Sequence, residues 1–380
     1  MMKKYIKWFS ILVLSFVISG CGFFSNDDGD LNGNEEPVEQ PAESPDETDN
    51  GEETDTPGQP EEDEVNQEVT AWIPRLENVV YSYEGIGSEY ASFTWNPQFN
   101  KEDYYQIAAN NGGTVLVKIY EFTDDQIARI FRSPETYFRD NFSEIGTFPE
   151  NLDTEVILKA PIEVGTTWAN DTTEYEITAV NHEVEVPAGT YNTIEVTMTA
   201  DNSTVKRYYA EDIGLVSEVS ETADGHVVES HLETAETNAP EIIPFTVYVP
   251  DDQAMGMDTI QTELTLYTND PARIAINDLL TGQVEEYDEI NLLPEGTEIN
   301  YMFLNNDRVV EVDVSEEFET NMNAGSTGEL FGLYTFVNTL ANYYGTEEVL
   351  LTVDGEPYEG GHIILREGET LQFNHEMVNE

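Results

Sequence analysis

Histidines, cysteines and paired carboxylates are the groups through which a chain of this kind could do chemistry, and the first two are scarce. Its 380 residues hold five histidines and one cysteine. A general base or a zinc ligand is most often a histidine. His226 and His231 lie five apart in a strand-like run, a spacing that turns them to opposite faces of an uninterrupted strand. His182, His362 and His375 have no companion at ligand spacing. No His-Glu-x-x-His signature, Gly-x-x-x-x-Gly-Lys phosphate loop or Gly-x-Ser-x-Gly elbow occurs. Gly325-Ser326-Thr327-Gly328 has the outline of a serine turn, but Ser326 stands three residues before Glu329, and that reciprocal pairing at a helix start accounts for it. Carboxylate pairs for glycoside cleavage cannot be singled out against so acidic a background. Asp28, Asp30, Asn32, Gly33 and Glu39 satisfy a calcium-loop pattern. No helical pattern flanks it, Glu35 holds a position that usually packs an apolar side chain, and Pro37 lies inside, so it reads as a chance match. The expectation is a protein with no catalytic residue, no cofactor and no metal ligand.

Cys21 is the sole cysteine, which excludes a disulfide within the chain and a thiolate zinc site. Lys3, Lys4 and Lys7 precede an apolar run from Trp8 to Val17, too short to span a bilayer, and then Ile18-Ser19-Gly20-Cys21. The arrangement resembles a bacterial lipoprotein signal, which implies that residues 1–20 are removed and the Cys21 thiol is acylated. The expected location is the extracytoplasmic face of the cell membrane, with the lipid anchor as the contact to it. Residues 21–67 read as an acidic disordered linker: no aromatic residue lies between Phe24 and Trp72, and no Lys or Arg between Lys7 and Arg75. Overall, 77 acidic residues face 15 basic ones, a formal charge of −62, which repels phosphate backbones and excludes nucleic acid as a partner.

The elements that follow are mainly of period two. Across a β-rich region at 68–236, the segments 79–83, 90–95, 104–108, 115–122, 155–158, 175–180, 182–186, 193–199, 206–210 and 216–219 are short, β-branched or aromatic, and separated by Gly, Pro, Asn or Asp. One helix is expected where Thr123 precedes Gln126 as a capping box and Ile127, Ile130 and Phe131 share a face. The stretches Val164-Gly165-Thr166-Thr167-Trp168, Pro187-Ala188-Gly189-Thr190-Tyr191 and Ile213-Gly214-Leu215-Val216 are similar to secreted β-domains that form a curved, half-open antiparallel sheet. The aromatics are read as filling its core; the alternative is a concave face that holds an apolar ligand.

Residues 242–380 mix periods. Strand-like runs at 245–249 and 263–268 precede a helix that Asp270 caps, with Pro271 at its first position, Ala272, Ile276, Leu279 and Leu280 as its stripe and Gly282 as its stop. Strands at 298–304 and 308–314 flank the turn Asn305-Asn306-Asp307. A second helix runs from Ser326 to Gly345, with Leu330, Leu333, Val337, Leu340, Ala341 and Tyr344 on one face, and a strand at 349–353 follows; the tail from His362 to Phe373 can add another. Two helices on one face of a small sheet make an α+β sandwich. Leu293-Pro294-Glu295-Gly296-Thr297, Val310-Glu311-Val312-Asp313-Val314-Ser315-Glu316-Glu317-Phe318, Val337-Asn338-Thr339-Leu340 and Val353-Asp354-Gly355, in this order, resemble the GerMN domain of sporulation and spore-germination lipoproteins. The resemblance implies a non-enzymatic assembly or binding module that meets envelope or cell-wall proteins or other copies of itself. A lipid or apolar-ligand carrier built on the β-rich region is the alternative expectation, and a wall-acting enzyme the third.

Overall fold

A computed structural model describes residues 65–145, 154–283, 292–322 and 325–379. The signal at 1–20, Cys21, the linker up to residue 64 and the Asp28 to Glu39 loop lie outside the described residues. The fold is mainly β: a large curved antiparallel sheet, then a smaller sheet with helices.

The curved sheet has twelve strands among the described residues: β1 Val79–Ile86, β2 Phe93–Lys101, β3 Tyr104–Asn110, β4 Val115–Phe122, β5 Gln126–Pro134, β6 Glu155–Lys159, β7 Thr167–Asn170, β8 Thr173–Val186, β9 Gly189–Ala200, β10 Ser203–Ala210, β11 Gly214–Thr222 and β12 Val227–Thr237. Each pairs with its sequence neighbour except β6 with β7. β1 pairs with β12, so the order is β6-β5-β4-β3-β2-β1-β12-β11-β10-β9-β8-β7. The ends, β6 and β7, meet through side chains instead of a ladder. The Asn170 amide donates to the Val156 carbonyl and accepts from the Val156 N–H, both at 3.0 Å, and Trp168 Nε1 donates to the same carbonyl at 2.8 Å. A short helix α1, Val69–Trp72, sends Val69 and Trp72 into the interior beside Tyr81, Tyr83 and Tyr209.

Tyr175 to Val180 and His182 to Val186 form the one strand β8, bent by register shifts, where the sequence suggested two. The expected helix after Thr123 is instead strand β5. Thr123 does bond Gln126, its Oγ1 accepting from the Gln126 N–H at 3.1 Å, but it closes the β4–β5 hairpin. Tyr120 pairs with Arg129 and Ile119 with Phe131, which leaves Ile130 as an extra residue, a β-bulge. The bulge sends Ile127 and Phe131 to different cores, the sheet's interior and its outer face. Helical spacing in the sequence was the trace of that bulge.

The outer face of β3–β5 is covered by the segment 135–141 and a short α2, Phe142–Ile145, with the Phe142 ring against both Phe131 and Phe138. From there the chain reaches its second core. A hairpin of β13 Glu241–Pro250 and β14 Met257–Leu266 stands apart from the sheet formed by β15 Ile299–Leu304, β16 Val309–Val314, β17 Glu348–Val353, β18 Glu356–Pro357 and β19 Leu371–Gln372. β16 and β17 are parallel, joined through α4 Glu317–Thr320 and α5 Ser326–Tyr344. Helix α3, Ala272–Leu280, buries all four residues of its expected stripe. Its N-cap is Pro271; Asp270 makes no cap and accepts from the Tyr267 N–H instead.

α5 packs on β13 as well as on β16 and β17, so it is buried on more than the single face its stripe suggested. Leu333, Phe336, Val337, Leu340 and Ala341 are fully covered, while Leu330, expected inside, is exposed. Gly345 ends the helix in the left-handed conformation, φ 61°. The expected capping box does not form. Gly325 is the N-cap, and Glu329 turns inward.

The two cores are bolted together at Arg139. Its guanidinium bonds Glu241 Oε2 at 2.9 Å, the Gln98 carbonyl at 2.7 Å and the Tyr267 carbonyl at 2.6 Å, with the Phe99 ring 5.0 Å away. Beside it, Asp140 accepts from the Tyr344 hydroxyl at 2.8 Å and from the Leu304 N–H at 3.2 Å.

Candidate functional site

Inside the curved sheet lies a cavity of about 280 Å³. Alternation puts Tyr81 and Tyr83 of β1, Phe93 and Trp95 of β2, Tyr105 and Ile107 of β3, and Lys118 and Tyr120 of β4 on its wall. Tyr83 pairs across strands with Phe93, the rings stacked at 4.3 Å, and Tyr81 pairs with Trp95. The hydroxyls of Tyr81, Tyr83 and Tyr105 donate to the carbonyls of Ile213, Leu215 and Leu76. These rings are therefore fixed as an apolar lining. The sequence expectation that the aromatics fill a core holds for part of them; the rest line space.

The same wall carries charge. Of twelve basic residues from Arg75 onward, Lys118, Arg129 and Arg207 line this cavity. Arg207 pairs with Glu218 across β10 and β11 at 2.7 Å and lies 3.6 Å from Glu155, and Arg129 pairs with Glu155 across β5 and β6 at 2.6 Å. Burial pushes the Glu218 carboxyl up, but the Arg207 guanidinium and Lys118 outweigh it and hold it below the usual carboxylate range. Two carboxylates thus meet two guanidiniums. The Lys118 ammonium has no hydrogen bond or ion pair among the described residues; it stands 5.5 Å over the Trp95 ring. Burial, with Arg207 adding to it, pushes its pKa down to about 8, so it remains an ammonium at neutral pH. Tyr120 and Tyr209 reach the cavity with hydroxyls that make no hydrogen bond among the described residues, and burial pushes both pKa values up, Tyr120 to about 12, which keeps them protonated donors. Sequence reasoning kept an apolar-ligand face here only as the alternative and named none of these residues. The available signal was Lys118 inside the apolar run 115–122, in phase with Leu116 and Tyr120.

The histidines do not converge. His182 stacks on Tyr208, His226 sits in the β11–β12 turn, and His375 pairs with Glu347 at the surface. His231 Nδ1 lies 2.9 Å from Ser217 Oγ and its Nε2 lies 2.8 Å from Glu229 Oε2, which places a nucleophile, a base and an acid in a row. Ser217 is only 1 % exposed, and it and Glu218 are paired with strands on both sides. That leaves no free pair of amides to stabilise an oxyanion, so the row reads as cross-strand structure. Among the described residues no group of three His, Cys, Asp or Glu side chains could hold a metal. No described helix is long and apolar enough to cross a membrane.

In the second core the motif residues act as ties. Thr339 Oγ1 accepts from the Tyr248 N–H of β13 at 3.1 Å, and Asn338 bonds both the N–H and the carbonyl of Asn374. The Glu329 carboxylate accepts from His362 Nδ1 at 2.7 Å, from the amides of His362 and Ile363 and from the Tyr358 hydroxyl. Burial pushes its pKa up, yet these donors outweigh it and hold it below the usual carboxylate range. Ser326 is exposed at the start of α5, one turn before Glu329, and its side chain makes no hydrogen bond to that cluster among the described residues.

Residues 246–359 match the Germane family model, described as sporulation and spore germination. This is the stretch that carries the GerMN resemblance. No curated protein matches the chain. Among solved structures, a protein classed as exported with a YmcC-like fold, from Bacteroides fragilis, is similar at 15% identity over 43% of this chain and 98% of its own, with a TM-score of 0.27. A protein classed as a lipoprotein from Clostridium perfringens is similar at 16% identity over 35% of this chain and 88% of its own, with a TM-score of 0.23. Another so classed, from Parabacteroides distasonis, is similar at 10% identity over 43% and 97%, with a TM-score of 0.27.

Proposed function

We propose that the protein is a non-enzymatic binding protein of the cell envelope, held at the extracytoplasmic face of the membrane by a lipid on Cys21. Its Germane region acts as an assembly module in sporulation, germination or cell-wall assembly, meeting envelope proteins or other copies of itself. The Germane match at 246–359 carries this reading, with the sequence Ser19-Gly20-Cys21 in support of the anchor. Labelled fatty acid is expected to enter the wild-type protein and not Cys21→Ala; label that persists in the variant removes the anchor. Deletion of the gene in a spore-forming host is expected to lower spore yield or germination, and unchanged values of both remove the sporulation role.

The cavity favours a second reading beside the first: the curved sheet carries a small molecule with an apolar or aromatic body. Its walls are mostly rings and branched aliphatics, with a few convergent polar groups, which is the usual make-up of a ligand pocket.

A further inference from the structure

We propose that the ligand of the curved sheet is a small amphiphile with a single anionic head, a carboxylate or phosphate, bound by Lys118 with the hydroxyls of Tyr120 and Tyr209, its body lying against Tyr83, Phe93 and Trp95. The proposal rests on the carrier reading and adds the sign and chemistry of the head.

Charge sets that sign. The chain carries 77 acidic and 15 basic residues, so an interior basic group is the exception. Arg129 and Arg207 are matched by Glu155 and Glu218, which leaves the wall one positive charge in excess, on Lys118. An ammonium near Glu218 and Glu155 but with no carboxylate in hydrogen-bond or ion-pair reach among the described residues, facing enclosed space, is stable only at a cost in solvation, and an anion in that space offsets it. Lys118 and Tyr120 are two residues apart on β4 and so share a face. Tyr209, on β10, lines the same cavity. Their free hydroxyls supply the donors that an oxyanion needs. Beyond the head, Tyr83 and Phe93 form a stacked floor and Trp95 the adjoining wall. At about 30 Å³ for each water-sized volume, the cavity takes on the order of ten non-hydrogen atoms.

The test uses the purified full chain and three probes of ten carbons each, decanoate, decyl phosphate and 1-decanol, followed by calorimetry and by tryptophan fluorescence, since Trp95 stands beside Lys118. Decanoate or decyl phosphate is expected to bind at least tenfold more tightly than 1-decanol. The tighter of the two acids names the head. Lys118→Met is expected to erase that preference while 1-decanol binding persists, and Lys118→Arg to restore most of it; the persisting neutral probe reports that the variant is folded. If 1-decanol binds as tightly as the acids, or Lys118→Met keeps the preference, the anionic head is wrong and the carrier reading stands. If none of the three binds, the carrier reading falls and this proposal with it.

Discussion

Lys118 costs the fold something, and the sign of that cost is open to measurement. Its pKa falls from 10.5 unfolded to about 8 folded, so the penalty is present in full below about pH 8 and fades as pH rises toward 10.5. Lys118→Met should therefore raise Tm at pH 7, by roughly 2–4 °C for about 1 kcal/mol after allowance for its partial exposure to the cavity. Thermal scans at pH 7 and pH 10.5 check it: the gain should nearly vanish at the higher pH. A group that weakens the fold yet sits at a cavity wall is what a binding role leaves behind. Glu329 is the opposite case. Its carboxylate holds four donors from the loop at 358–363, and Glu329→Gln sets an amide N–H against some of them; a loss of about 2 kcal/mol in urea unfolding is expected. Neither role is legible from residue type. Ser326 and Glu329 have capping-box spacing, and only the return of the chain at Tyr358 reveals where the acid turns.

Elements were more legible than residues, because periodicity is a local property and contact is not. Strand β4 was read to its exact bounds, and the stripe of α3 is buried as expected. The errors lie where distant chain decides. β5 was mistaken for a helix because its bulge breaks the period of two, and β13 burying a second side of α5 rotates the face read from the stripe. That rotation makes a prediction within one helix. Phe336→Ala should cost about 3–5 kcal/mol and Leu330→Ala well under 1 kcal/mol, since only the first empties a packed site. Comparable losses at the two positions would restore the original face. The cavity was hidden for a related reason: an aromatic that fills a core and one that lines a hollow obey the same alternation.

At the scale of the molecule, the two cores are joined by buried charge. Burial pushes Arg139 down and Glu241 up, each toward its neutral form, so the pair should add little net stability while its loss on one side is costly. Arg139→Ala should cost about 3–5 kcal/mol by stranding Glu241, and should split a single calorimetric transition into two as the cores uncouple. Arg139→Met with Glu241→Leu should recover most of that loss. Asp140, in the same junction, has its pKa pushed up to about 7 by burial, against the pull of Tyr344 and the Leu304 amide. Its penalty is absent below pH 3.8 and complete above about pH 7, so the wild type should gain stability from pH 8 to pH 5.5, and Asp140→Asn should flatten that slope.

The meeting of β6 and β7 is where the curved sheet should open first. Among the described residues the Asn170 amide and the Trp168 indole lace that join, with the Tyr175 hydroxyl of β8 donating to Glu155 of β6, so parting it costs a few side-chain bonds of about 0.5–1.5 kcal/mol each and breaks no main-chain ladder. Amide exchange along β6 and β7 should be the fastest of the twelve strands, and faster still in Asn170→Ala.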